Sequence, residues 1–116
     1  MTRIQATAFV LLPMAIALAQ QSVTVVQNDR AALYAANCAT CHGEDGAGKT
    51  AAGQKLKLAN LRSDTVQKQS DKELFNSIAN GLRHKQYPHA FAHRGLTTSQ
   101  VEELVAHIRE LAKTKK

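Results

Sequence analysis

A chain of 116 residues is the size of one small domain, and with no Trp, two Tyr and three Phe it cannot build a large aromatic core of its own. Fifteen Lys and Arg against nine Asp and Glu leave a formal charge of +6, which favours acidic protein partners or membrane surfaces; nucleic acid is not expected among the partners. A disulfide between the two cysteines, Cys38 and Cys41, would close too short a loop to contribute much.

The chain opens like an export signal. Arg3 supplies a positive n-region, Ala6 to Ala19 is apolar apart from Thr7 and Pro13, and Ala17-Leu18-Ala19 fits a small-x-small cleavage site, with Gln20 as the mature start. The run is shorter than the roughly 20 apolar residues that span a bilayer. The expected organisation is therefore a signal peptide over residues 1–19 and one domain over residues 20–116, in the periplasm or another exported compartment.

A first helix is expected from a cap at Asn28 or Asp29, through Leu33 and Tyr34, into Cys38-Ala39-Thr40-Cys41-His42. Two thiols and an imidazole at this spacing suit covalent attachment of a c-type haem. On one helical turn both cysteines can form thioethers with one porphyrin, and His42 can then reach the iron as proximal ligand. Zinc would need further His ligands, and nothing is spaced for them. A redox dithiol would be expected beside a β-α-β pattern, and none is visible. Burial of a porphyrin would add much of the apolar area that the side chains lack.

Gly43, Gly46, Gly48 and Gly53, with Asp45 and Lys49, predict an irregular loop around the haem edge, continued over Lys55 to Asn60 with Leu56 and Leu58 turned inward. The stretch lacks the preceding strand and the glycine spacing of a phosphate-binding loop. Ser70-Asp71-Lys72-Glu73 is a capping box. Leu74, Phe75, Ile78, Ala79 and Leu82 follow at helical spacing, and Asn80-Gly81 ends the run. Thr97 and Gln100 form a second box, Leu96 and Val101 can staple it, and Val101, Leu104, Val105, Ile108, Leu111 and Ala112 make one apolar stripe. Lys113, Lys115 and Lys116 suit the negative end of that helix.

The haem motif, glycine-rich loop, Ser-Asp-Lys-Glu-Leu-Phe helix and closing helix, in this order, resemble the small class I cytochromes c over nearly all of residues 20–116. Ala31-Ala32-Leu33-Tyr34 through His42-Gly43 is similar to that family's first helix and attachment site, and Leu104-Val105-Ala106-His107-Ile108-Arg109 to its last. The resemblance implies an all-α fold of three main helices around one covalent haem c, with the first and last helices crossing, and a carrier of single electrons that transforms no substrate.

Departures from the family pattern concern the iron's second ligand and the helix crossing. The family usually supplies a methionine before a proline, whereas here the only methionines are Met1 and Met14, inside the expected signal. The corresponding stretch is His84-Lys85-Gln86-Tyr87-Pro88-His89-Ala90-Phe91-Ala92-His93. Counting forward from Gly81 puts Tyr87 on the methionine position, and counting back from Phe91 falls between Tyr87 and His89. Neutral imidazole ligates both ferric and ferrous iron, whereas phenolate favours the ferric state. His89 therefore leads as distal ligand, followed by Tyr87, His84 and an open site. Arg30 and His107 stand where the family usually has a Gly and an aromatic at the crossing, so that contact must be remade, with His107 expected to pack rather than ligate. No Pro orients the proximal imidazole, and a carbonyl between Leu58 and Asn60 is a candidate for that role.

The expected activity is electron transfer between redox proteins with acidic docking surfaces. Lys49, Lys55, Lys57 and Lys85 are candidates to ring the haem edge. A monomer is expected, with peripheral membrane association compatible with the charge. Two rival readings remain: a haem whose open or labile sixth site binds a small gas or peroxide, and a subunit docked on a larger oxidase or dehydrogenase.

Overall fold

The computed structural model describes residues 29–82 and 89–114, and no strand occurs among them. None of their helices is long and apolar enough to cross a membrane. Helix α1 covers residues 29–37 and meets α2, Ala39–His42, at Cys38, whose N–H still donates to the Tyr34 carbonyl at 2.8 Å. Asp29 is already helical, so it does not cap α1, and Asn28 lies outside the described residues.

The glycine-rich segment is more regular than expected, because Ala51–Leu56 forms α3. Thr50 caps it by accepting from the Gly53 N–H at 2.9 Å, and Lys57 ends it in the left-handed region at φ 54°. Gly53 is a helical residue that permits close approach. A Cβ there would collide with the Gly48 carbonyl oxygen and lie 2.6 Å from that of Cys41. The composition of a loop thus concealed a helix packed flat on its neighbours. A further turn, α4 (Asp64–Gln67), capped by Ser63, buries Val66.

Helix α5, Asp71–Asn80, has the expected capping box between Ser70 and Glu73, and Gly81 closes it at φ 68°. Leu74, Ile78 and Ala79 are buried, but Leu82 is 53% exposed, because the chain leaves the helix at Gly81 and the apolar stripe ends with it. After a 3-10 turn at Phe91–Arg94, α6 spans Thr98–Lys113 with its own box between Thr97 and Gln100. Val101, Leu104, Val105, Ile108 and Leu111 are buried on one stripe, and Leu96 packs against the core ahead of the helix. Lys115 and Lys116 lie outside the described residues.

The core joins Tyr34 of α1, Val66, the inner face of α5, Phe91 and the α6 stripe. Arg109 fixes the outer edge of α6 by donating to Asp71 Oδ1 at 2.8 Å and to the Gln67 carbonyl at 2.9 Å. The contact between α1 and α6 is remade with charge. Arg30 donates to Glu103 Oε2 and to Glu110 Oε1, each at 2.7 Å. Glu103 and Glu110 are two helical turns apart on one face, and His107 lies between them. Its ring packs on Tyr34 with centroids 4.6 Å apart, as expected for a packing histidine.

Candidate functional site

Helix α2 supplies Cys38, Cys41 and His42 within one turn. Both cysteines are half-buried and free of a disulfide, while His42 is 8% exposed. The end of this short helix is held from outside. The last carbonyls of a helix have no partner within it, and here those of Cys41 and His42, together with that of the capping Gly43, each find a donor. Thr50 Oγ1 donates to Cys41 at 2.6 Å, the Gly48 N–H to His42 at 2.7 Å, and Tyr34 Oη to Gly43 at 2.8 Å. Burial raises the Tyr34 phenol well above its usual range, with the Cys38 and Asp45 charges adding to it, so the hydroxyl keeps its proton and remains a donor. The His42 imidazole therefore stands on a backbone fixed at three points. The sequence reading assigned no role to Thr50 or to the Tyr34 hydroxyl.

Beside His42 opens a cavity of about 200 Å³, walled mainly by Leu58, Leu61, Val66, Leu74, Ile78 and Ile108, with Cys38, Tyr34, Phe91 and His89 also on its lining. Leu58 thus turns inward as expected, whereas Leu56 is half-buried and does not line the cavity. Across it, the rings of His42 and His89 have centroids 5.8 Å apart and planes inclined at 42°. Two imidazoles that face each other across a cavity could together hold one metal ion. His89 Nδ1 lies 3.1 Å from the Ser77 carbonyl. A carbonyl only accepts, so Nδ1 carries the proton and Nε2 keeps the lone pair. Burial lowers the pKa of His89 most, the Ser77 contact opposes this, and the Arg94 charge lowers it further, so the ring is neutral. A neutral histidine oriented by a carbonyl is the form that binds a metal. Tyr87 and His84, the other candidates, lie outside the described residues.

The Cys38 thiol is not activated. Burial, with Cys41 adding a smaller effect, pushes the Cys38 thiol up to about 11, opposite to the lowered pKa of an exchange-active dithiol. Among the described residues no three His, Cys, Asp or Glu side chains converge as a metal cluster. An apolar slot with two thiols on one helical turn and a buried imidazole beside them fits a covalently attached porphyrin.

Comparison with known proteins agrees with this chemistry. The family described as cytochrome c oxidase, cbb3-type, subunit III matches residues 26–108. No curated protein and no solved structure matches the chain. The chain belongs to that family: it is an all-α c-type cytochrome that carries covalently bound haem c and serves electron transfer.

Proposed function

We propose that this cytochrome is an exported carrier of single electrons, with residues 1–19 as a cleaved signal and residues 20–116 as the working domain. Cys38 and Cys41 hold the haem by thioethers, His42 is the proximal ligand and His89 the distal one. The observation that supports this reading is the facing of His42 and His89 at 5.8 Å across the apolar cavity. When bound, haem supplies a one-electron ferric–ferrous couple. The chain's residues exclude water with the aliphatic walls of the cavity, keep His89 in one tautomer through Ser77, and hold the backbone of His42 through Thr50, Gly48 and Tyr34. Lys49, Lys55 and Lys57 are exposed and can steer an acidic redox partner, while Lys85 lies outside the described residues.

Low-temperature EPR of the ferric protein, compared with His89→Ala, tests the ligand set. A six-coordinate low-spin signal that is lost in the variant is expected, together with a midpoint potential below that of a His/Met cytochrome. Immediate stoichiometric binding of carbon monoxide by the unmodified ferrous protein would instead favour an open or labile sixth site. The family description names an oxidase subunit, which favours a second reading in which the chain delivers electrons while docked on a terminal oxidase. The mass of the native complex after mild extraction distinguishes a free monomer from a docked one.

A further inference from the structure

His89 is stacked as well as hydrogen-bonded. The Phe91 ring lies against it with centroids 5.6 Å apart and planes 24° from parallel, and Phe91 is 6% exposed. The Arg94 guanidinium carbon sits 4.8 Å from the Phe91 centroid. His89 and Phe91 are two positions apart, and the residue between them, Ala90, takes the left-handed conformation at φ 44°, ψ 39°. That region is rare for a residue with a Cβ, and it turns the backbone between the two stacked rings. Imidazole, phenyl ring and cation stand in series.

Resting on the reading that His89 is the distal ligand, we propose that Phe91 and Arg94 are positioning residues for it. Phe91 fixes the plane of the His89 ring, and Arg94 both clamps Phe91 and brings a permanent positive charge to the distal side. That charge favours the reduced state, which carries one positive charge fewer after an electron arrives from the donor protein. The Arg94 side chain is exposed, so added salt weakens its field, whereas the stack itself is insensitive to salt.

The test uses the haem-loaded chain. Its readouts are the midpoint potential at low and high ionic strength and the spread of g values in the ferric EPR spectrum, which reports the angle between two axial imidazoles. Arg94→Gln is expected to shift the equilibrium three- to tenfold towards the ferric state, roughly 30 to 59 mV for a one-electron couple, with the difference shrinking in high salt. Arg94→Lys keeps the charge and restores most of that shift. Phe91→Leu is expected to retain a six-coordinate low-spin spectrum with an altered g spread. If Arg94→Gln leaves the potential unchanged and Phe91→Leu leaves the g values unchanged, while His89→Ala abolishes the low-spin signal, the stack is overturned and the ligation stands. If His89→Ala changes nothing, the ligation reading falls and takes the stack with it.

Discussion

Replacing Thr50 with valine preserves the volume of the side chain and deletes one oxygen that serves two masters. That oxygen accepts the Gly53 N–H at 2.9 Å and donates to the Cys41 carbonyl at 2.6 Å. Losing the cap of α3 costs about 1 kcal/mol. Leaving the Cys41 carbonyl without its donor in a half-buried setting adds roughly 1 kcal/mol, the low end for an unsatisfied group. The sum, about 2 kcal/mol, lowers the melting midpoint of a domain this small by roughly 8 to 16 °C. Far-UV circular dichroism of the ferric, haem-loaded protein measures it. Thr50→Ser keeps the hydroxyl and is expected to stay within about 0.5 kcal/mol of the parent. Equal melting of the valine and serine variants would refute the idea that this hydroxyl fixes the end of the haem-bearing turn.

Other substitutions probe separate parts of the molecule. Gly53→Ala forces a methyl into the Gly48 and Cys41 carbonyls and is expected to cost about 3 kcal/mol, visible as a collapse in the yield of folded holoprotein. Leu104→Ala, at a side chain with 0% exposure, should cost about 2 to 5 kcal/mol in denaturant titration. Arg30→Met removes both ion pairs to α6; with both glutamates about one-third exposed, the expected cost is about 1 to 2 kcal/mol, and the gap to the parent should narrow as salt is added. Burial holds the His107 imidazole below its usual pKa, opposed by Glu110 and reinforced by Arg30. The unfolded chain therefore binds that proton more readily. The stability from neutral His107 is complete above about pH 6.5 and is lost as the pH falls from there through the folded value. In His107→Leu, melting curves across this window should lose that part of the slope.

What could be read from the residues follows from how local each signal is. The capping boxes at Ser70 and Thr97 and the apolar stripe of α6 are decided within a few positions, and they stand in the structure where the sequence puts them. The Cys38 to His42 motif is equally local. By contrast, α3 was hidden because Gly53 serves an approach to the Gly48 and Cys41 carbonyls, which lie outside its own helix, and composition alone cannot tell such a glycine from a breaker. Leu82 fits the helical spacing yet falls just beyond the Gly81 cap, so periodicity carried past the end of the helix. Ser77 was invisible as a partner for His89, since any residue offers the same carbonyl. The replacement of the α1–α6 contact was foreseen as a need, but its solution required knowing that Glu103 and Glu110 present one face to Arg30.

The two ion pairs of Arg30 connect residues 73 and 80 positions apart. Closing a flexible loop that long carries an entropy penalty on the order of 4 kcal/mol, larger than either pair returns. The clasp therefore leans on the apolar cluster around Tyr34 and Leu104, which joins the same two helices and meets that penalty on behalf of both ion pairs.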